Sequence, residues 1–281
     1  MRGAFPDASE EEQADYEAIK AWLDQCHDRD REEMKARLAA MGIADPALEV
    51  GAYAARTCGP LVPSIDHTSF DNYADLEAHL ASTRPIFDAM LATADLSGRI
   101  GGPASDELGE LLKHRIIREQ IYRFAYSWLS RGEKAARIPD MTLTQRIVFA
   151  ALLRHELTQV DAANTAWLKD IVEESGWPTI SAVGKKASSS AWLLVQHADH
   201  DPAFQLEILR MLEPLAEQGE VSRRNYAYLY DRVTLKLEGK QRYATQMWCV
   251  DGMMEPRPLE DPARIDELRT YADLEPLSEY Q

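Results

Sequence analysis

The sequence predicts a mainly α protein, an antiparallel helical domain with one small β-hairpin near its C-terminal end. Apolar residues recur at helical spacing along most of the 281 residues, and the period changes to that of strands only beyond Gly239. Hydrophobic residues make up 45% of the chain and charged residues 28%, which is ordinary for a globular protein. This length and composition allow one large hydrophobic core or two modest ones.

The first predicted helix begins with a capping box. Ser9 stands at the N-cap position, and Glu12 follows three residues later, where its carboxylate can reach back to the Ser9 amide. A second, short helix is expected to end at Gly42, because glycine is common just beyond a helix. Asp45-Pro46 is expected to start another helix, since proline loses no hydrogen bond at the first helical position.

Proline and glycine divide the next part of the chain. Residues 57–72 are predicted to form a loop, and Pro85 is predicted to break or kink the helix that follows. The glycines and the proline within residues 98–103 mark a soft boundary. We therefore predict an N-terminal helical region over residues 1–104 and a helical core domain over residues 105–281 that carries the candidate site.

The core domain is predicted to be a succession of helices followed by the hairpin. The helices run from Ser105 to Arg131, from about residue 143 to 174, through residues 191–196, from Pro202 to Gln218 and from Ser222 to Leu237. Residues 243–249 and 253–259 are predicted to be two strands. Asp251-Gly252 joins them, and this dipeptide favours a two-residue hairpin turn.

The chain is strongly acidic, with a formal net charge of −16 and a pI near 4.9. Such a charge repels phosphate groups, so we expect neither nucleic acid nor an anionic membrane surface as a partner. No stretch of about 18 apolar residues could span a bilayer, and the first residues lack a hydrophobic signal region. We therefore expect a cytoplasmic protein, with its oligomeric state left open.

The chain contains three cysteines, Cys26, Cys58 and Cys249, which lie far apart in the sequence. Their number and spacing fit neither a disulfide framework nor a zinc site. We expect small buried or incidental thiols.

Polar side chains are most dense within residues 177–205, where an apolar helix is predicted to meet the helix that begins at Pro202. The corner between these two helices holds Gln196, His197, Asp199, His200, Asp201 and Gln205. This density makes the corner the best candidate for a functional site in the chain.

A set of motifs runs through the C-terminal part of the chain. The central motif comprises Gly176-Trp177-Pro178-Thr179, Gly184, Trp192, Gln196-His197-Ala198-Asp199, Asp201-Pro202 and Phe204-Gln205. The other motifs are Gln120 with Arg123, Asp161 with Asn164, Leu168-Lys169, Ala227-Tyr228-Leu229, Asp231-Arg232, Gln241, Tyr243, Thr245-Gln246, and Leu274, Pro276-Leu277 and Glu279-Tyr280.

Together these motifs resemble an uncharacterised bacterial domain family, over roughly residues 115–281. Two positions depart from the family pattern: Ala244 stands where a glycine is expected, and Trp167 where a basic residue is expected. The family has no known function, so the resemblance implies a shared fold and site but no chemistry.

A metal-free acid–base site is one interpretation of the polar set. His197 could act as a general acid or base oriented by Asp161 or Asp199, because imidazole titrates near neutral pH. The remaining candidates are the Tyr243 phenol, the cations Arg123 and Lys169 for an anionic group on the substrate, and the amides of Gln120, Asn164, Gln196 and Gln246 for hydrogen bonds. The alternative is a buried polar network that fixes how the helices pack.

A metal site is another interpretation of the same corner. His197 and His200 lie three positions apart, and Asp201 could add a carboxylate ligand. However, Asp201 before Pro202 is also explained as the N-cap of the following helix, and no further ligand is clear. We predict no bound metal. We also predict no cofactor, because the chain lacks a glycine-rich phosphate-binding loop.

These observations leave two functions from different classes. The first is a small-molecule- or peptide-processing enzyme, hydrolytic in character, with His197 at its centre. The alternative is a non-catalytic helical binding or scaffold protein that recognises a peptide or a protein partner. An open pocket around the polar set would favour the enzyme, whereas a packed internal network would favour the scaffold.

Overall fold

A computed structural model describes residues 1–48, 65–103, 105, 107–129 and 140–280. The helices are α1 (Glu10–Ala40), α2 (Tyr73–Ile100), α3 (Leu108–Trp128), α4 (Leu143–Ser175), α5 (Ile180–Val183), α6 (Lys185–Gln196), α7 (Pro202–Glu217), α8 (Arg223–Glu238), α9 (Ile265–Tyr271) and α10 (Leu277–Tyr280). Strands β1 (Met247–Val250) and β2 (Met253–Pro256) form an antiparallel pair. The predicted fold class, mainly α with one small C-terminal hairpin, is confirmed.

The capping box at the start of α1 is present as predicted. The Ser9 amide donates to Glu12 Oε2 over 2.8 Å, and the Glu12 amide donates to Ser9 Oγ over 3.2 Å. The helix then continues for 31 residues, so the two helices predicted here form one. No proline or glycine interrupts this stretch, and Gly42, with φ of 90°, follows its end.

Two predictions about proline in the N-terminal part concern Pro85 and Pro46. Pro85 lies inside the continuous helix α2, so the helix does not break there, and a kink at Pro85 stays a prediction. The buried side chains of Leu76 and Phe87 anchor α2 on both sides of this proline, and their packing outweighs one missing hydrogen bond. No helix starts at Asp45-Pro46 within the described residues up to 48. Instead the Ala47 amide donates to the Leu237 carbonyl over 2.9 Å.

The chain packs into two compact units. The first comprises Met1–Arg31, Thr57–Gly102 and His114–Asp161, and the second comprises Glu32–Arg56, Pro103–Lys113 and Ala162–Gln281. In the core of the first unit, the Phe87 and Phe149 rings meet edge to face with centroids 5.7 Å apart. In the second unit, α7 packs against α8 and α6, and Ile208 and Leu229 are fully buried. The sequence-based division at residue 104 stays a prediction.

The hairpin has the two-residue turn that the Asp-Gly dipeptide predicts. Asp251 and Gly252 have φ of 50° and 86°, and Val250 pairs with Met253 across the turn. Positive φ at both central positions is the geometry of a type I′ turn, whose twist matches that of the strands. The strands are shorter than predicted. Backbone amides within residues 242–246 donate to the side chains of Asp231 and Gln241, as described below.

The cysteines differ from one another. Cys249 is exposed and carries a free thiol, whereas Cys26 is buried and disulfide-bonded. The expectation of incidental thiols is therefore wrong for Cys26. Cys58 lies outside the described residues.

No helix in the described part of the chain is both long enough and apolar enough to cross a membrane.

Candidate functional site

The α6–α7 corner is built by two helix ends. His197 is the C-cap of α6, and its amide donates to the Leu193 carbonyl over 3.2 Å. Asp201 is the N-cap of α7, where its Oδ1 accepts the Phe204 amide over 3.2 Å and Pro202 begins the helix. The structural interpretation of Asp201-Pro202 is therefore confirmed.

The Asp201 cluster consists of Asp201, Arg37 and Lys169. The Asp201 side chain is almost fully buried, Arg37 Nη1 lies 3.0 Å from its Oδ1, and Lys169 Nζ forms an ion pair with its Oδ2. The Lys169 ammonium also lies 5.2 Å from the centroid of the Phe204 ring. Lys169, predicted to bind substrate, thus directs its charge at a buried carboxylate of its own chain. A buried carboxylate without such partners would be strongly unfavourable.

The Asp199 cluster consists of Asp199, Arg232, Lys236 and Gln205. Arg232 binds the carboxylate through both Nε, at 2.8 Å, and Nη2, while Lys236 Nζ lies 2.7 Å from Oδ1. Lys236 also donates to Gln205 Oε1 over 2.9 Å, and Gln205 Nε2 donates to the Val195 carbonyl over 2.9 Å. This cluster therefore ties α8 to α7 and to the last turn of α6.

The pKa of Asp199 follows from this geometry. Burial raises it, but the charges of Arg232 and Lys236 outweigh burial and hold the pKa of Asp199 well below its ordinary value. Asp199, predicted to be catalytic, is therefore ionised at neutral pH and is a weak proton acceptor.

Residues 241–246 are organised by Asp231 on α8. Its fully buried carboxylate accepts the amides of Arg242, Tyr243 and Thr245 over 2.8, 2.9 and 2.8 Å, and the Thr245 hydroxyl over 2.9 Å. Burial raises the pKa of Asp231, and these donors oppose the increase. The loop turns at Ala244, whose φ of 53° lies in the left-handed region. Glycine adopts this conformation more readily than alanine, which agrees with the glycine expected at this position from the sequence motifs.

Gln241 fastens the same loop to the hairpin. Its Nε2 donates to the carbonyls of Gln246 and Arg257 over 2.8 and 2.9 Å, and its Oε1 accepts the Gln246 amide over 2.9 Å. The Gln246 side chain, predicted to bind substrate, donates to Thr245 Oγ1 over 3.2 Å.

Tyr243, also predicted to be catalytic, is 3% exposed, and its ring meets Tyr230 edge to face at 5.6 Å. Burial raises the pKa of Tyr243, so its phenol is neutral at physiological pH.

A second polar set lies in the first unit, on α3 and α4. Arg123 Nη2 lies 2.6 Å from Asp161 Oδ2, and Arg123 Nε pairs with the fully buried Glu119. Gln120 Nε2 donates to Glu119 Oε2 over 3.1 Å. Burial lowers the pKa of Arg123, but the two carboxylates raise it above its ordinary value. Arg123 was predicted to bind an anionic group of a substrate. Its charge is already compensated by the carboxylates of Glu119 and Asp161.

Of the predicted site residues, Gln120, Arg123 and Asp161 belong to the first unit, and the others belong to the second. Asn164 and Gln196 are buried, at 5% and 6% exposure, while His197 and His200 are half-buried. A cavity shared by the whole set stays a prediction. Within the described residues, no three histidine, cysteine, aspartate or glutamate side chains are grouped in a way that could hold a metal ion, His197, His200 and Asp201 included.

An open cavity of about 440 Å³ lies elsewhere in the second unit. Its lining includes Lys185, Glu217, Arg223 and Asp273, and none of the predicted site residues. The acidic and basic groups around it are mixed, so it favours no particular ligand charge.

The comparison with known proteins agrees with the sequence motifs. A family model described as a family of unknown function (DUF6624) matches residues 140–281. The chain belongs to this family. The match covers the corner, α8, the 241–246 loop, the hairpin and Asp161, whereas Arg37, Glu119, Gln120 and Arg123 lie outside it. No curated protein and no solved structure matches the chain.

The DUF6624 part of the chain contains network residues that sequence reasoning did not select. Lys236 was missed, although its spacing of four residues from Arg232 places both cations on one face of a helix. Asp231, Arg232 and Gln241 were noted only as family motifs. Their role depends on backbone amides of residues 242–246, which no side-chain pattern reveals.

Proposed function

We propose that this DUF6624 protein is a non-catalytic binding protein that recognises an extended protein segment through the β1–β2 hairpin. The observation that carries the proposal is the exposure of large apolar side chains on this hairpin. Trp248, Val250, Met253 and Met254 are 46%, 36%, 65% and 44% exposed. Apolar side chains grouped in this way on a surface are typical of interaction sites.

The strand register groups three of these side chains on one face. Trp248 pairs with Glu255, and Val250 pairs with Met253. Because side chains alternate along a strand, these four residues share one face of the hairpin. That face combines these three apolar side chains with the Glu255 carboxylate, and the Arg257 guanidinium lies 5.7 Å from the centroid of the Trp248 ring. It suits the apolar side chains of an added strand, whose alternate side chains point to the opposite face.

The outer edge of β1 can accept a further strand. Val250 and Met253 flank a two-residue turn, so they form a hydrogen-bonded pair, and the next pair, Cys249 with Met254, does not. The amide and carbonyl of Cys249 therefore point away from β2, towards the open edge. On β2 the corresponding edge contains Pro256, which has no amide hydrogen to donate. An added strand is thus expected on β1.

The charge of the hairpin favours a basic partner. Asp251 and Glu255 carry the acidic groups there, and no ion pair to either is present within the described residues. The net charge of −16 adds a long-range attraction for a cationic segment.

The alternative, a hydrolytic enzyme acting on a small molecule or peptide, stays a prediction. The internal partners of Arg123, Lys169 and Asp199 support the binding protein instead, because substrate-binding charges would have to leave these partners. Breaking a buried ion pair leaves an uncompensated charge. This free-energy cost opposes a rearrangement of these residues into an active site.

Synthetic strand peptides test the proposal. A ten-residue peptide alternating valine with lysine should bind the protein at least about tenfold more tightly than one alternating valine with glutamate, and added salt should weaken the binding. Fluorescence anisotropy of labelled peptides measures both affinities. Equal affinities for the two peptides, or no binding of the valine–lysine peptide, would contradict the proposal.

A matched pair of tryptophan variants locates the binding surface. Trp248 on the hairpin and Trp22 on α1 are 46% and 47% exposed. Trp248→Ala should weaken binding of the valine–lysine peptide about tenfold, as expected for an aromatic anchor. Trp22→Ala should leave the affinity unchanged. A similar loss in both variants would indicate non-specific adhesion of the peptide.

The cytoplasmic location also stays a proposal. It rests on the acidic composition of the chain, whereas the disulfide bond at Cys26 is typical of oxidising compartments. Counting free thiols in protein purified under alkylating conditions from its native cell would decide between these two indications.

A further inference from the structure

Arg269 on α9 is a buried cation without a buried anion bound to it. Its guanidinium is fully buried, and its hydrogen bonds go to neutral carbonyls. Nε donates to the Glu275 carbonyl over 2.6 Å, and Nη1 donates to the carbonyls of Tyr243 and Ala244 over 2.8 and 3.1 Å. The carboxylate of Glu275 instead pairs with Arg224, at 3.1 Å.

One nitrogen of this guanidinium has no acceptor. Arg269 Nη2 is buried and has no hydrogen-bond partner within the described residues. An arginine carries two N–H donors on this atom, and leaving buried donors of a charged group unsatisfied is costly. An anionic hydrogen-bond acceptor at Arg269 Nη2 would therefore be stabilised.

Tyr280 on α10 covers the guanidinium. The centroid of its ring lies 4.8 Å from the Arg269 guanidinium carbon. Its hydroxyl forms two long hydrogen bonds, of 3.3 Å each, with the Tyr228 hydroxyl and the Thr245 carbonyl. Burial raises the pKa of Tyr280 to about 12, so the phenol is neutral and does not supply the missing anion.

A second donor without an acceptor adjoins the same aromatic pair. Trp192 on α6 meets the Tyr228 ring edge to face, with centroids 6.4 Å apart, and its Nε1 is buried without a hydrogen-bond partner. Each tyrosine of this pair therefore contacts a side chain that has an unsatisfied donor. A group that brings acceptors would be stabilised here more than one that brings donors.

We propose that Arg269 is the anchor of a binding site for hydroxyphenyl carboxylates, and that Tyr280 occupies this site from within the same chain. The hydroxyphenyl ring of the ligand takes the place of the Tyr280 ring over the guanidinium and makes the same contacts with Tyr228 and Thr245. The ligand carboxylate, one or two bonds from the ring, adds the acceptor for Arg269 Nη2. The site is separate from the hairpin and does not depend on the function proposed for it.

Removing the Tyr280 side chain tests this proposal. Tyr280→Ala vacates the space of one phenol, and the probes are 4-hydroxyphenylacetate, p-cresol and phenylacetate, measured by isothermal titration. The variant should bind 4-hydroxyphenylacetate at least about tenfold more tightly than p-cresol, which has the same phenol without the carboxylate, because a charged hydrogen bond is lost. Phenylacetate should also bind more weakly, since it lacks the hydroxyl.

The controls separate this site from general binding of aromatic anions. Tyr271 is a matched tyrosine, because Arg223 lies 5.2 Å from the centroid of its ring, but it is exposed. Tyr271→Ala should gain no affinity for 4-hydroxyphenylacetate, and the unsubstituted protein should bind it at least tenfold more weakly than Tyr280→Ala. Adding Arg269→Lys to Tyr280→Ala should abolish the preference for the carboxylate.

The proposal is overturned if Tyr280→Ala binds none of the probes, or binds 4-hydroxyphenylacetate and p-cresol equally. It is also overturned if the unsubstituted protein or Tyr271→Ala binds as tightly as Tyr280→Ala. The comparison of the three probes on Tyr280→Ala decides the matter even if the double variant does not fold.

Discussion

Replacing Asp231 should cause one of the largest stability losses in this protein. The carboxylate accepts four hydrogen bonds, three of them from backbone amides. Asp231→Ala leaves those donors without an acceptor, next to Tyr243 and Thr245, which are 3% and 5% exposed. Each stranded buried donor costs about 1–3 kcal/mol, while rotation of the threonine hydroxyl and entry of a water molecule recover part of the loss. We expect a total of about 3–5 kcal/mol, a large share of a typical folding free energy.

Asp231→Asn refines the expectation. The amide oxygen can still accept the Arg242 and Tyr243 amides, but the new NH₂ group faces the Thr245 amide, so two donors oppose each other. We expect a loss of about 1–3 kcal/mol, smaller than for alanine. Glu238→Ala is the matched control, because it removes an exposed carboxylate from the same helix and should change stability by less than about 0.5 kcal/mol.

Urea unfolding followed by circular dichroism measures these differences, provided that the m-values of the variants agree. If the two compact units unfold in separate steps, only one step should shift, and the other then serves as an internal reference. A loss below about 1 kcal/mol for Asp231→Ala, or one no larger than that of Glu238→Ala, would refute the assignment of Asp231 as the organiser of the loop.

Three further predictions concern the corner. Since Arg232 and Lys236 lower the pKa of Asp199 in the folded state, its carboxylate stabilises the fold above the unfolded pKa of about 4 and loses this effect as the pH falls towards the folded value. Asp199→Asn should therefore lower stability at pH 7 and flatten the acid side of the stability–pH curve, and an unchanged acid slope in urea melts would count against the ion pairs. His197→Ala should cost less than about 1 kcal/mol if His197 belongs to a functional site. A cost of about 2–3 kcal/mol, with a similar one for Gln196→Ala, would identify a buried structural network instead. Elemental analysis of the purified protein should find no stoichiometric zinc or iron, and about one metal per chain, lost in His197→Ala, would revive the metal site.

The sequence was most informative where structure depends on neighbouring residues. The capping box at Ser9, the N-cap at Asp201 and the turn at Asp251-Gly252 are local arrangements, and each is present as predicted. Pro85 shows the limit of such reasoning. Its local preference against helix is outweighed by core packing on both sides of it, which the sequence near the proline does not reveal.

The candidate site was predictable in its residues but not in its contacts. The polar residues of the corner do lie at the junction of α6 and α7, as their density in the sequence suggested. Their partners, however, come from distant positions: Arg37 reaches Asp201 from 164 residues away, and Lys236 reaches Asp199 from 37 residues away. Which cation serves which carboxylate depends on the packing of helices, so spacing along the chain could not reveal it.

The sequence by itself determined the helical class, most helix boundaries in the C-terminal part, the hairpin and the family. These follow from the period of apolar residues and from short-range hydrogen bonding, which act over a few residues. Only the tertiary structure decided that Lys169 and Asp199 form internal ion pairs, that Arg269 is buried beneath Tyr280, and that Trp248 is exposed to solvent. The physical reason is that ion pairing and burial depend on which distant segments folding brings together. Residues with the same local sequence can therefore be buried in one fold and exposed in another.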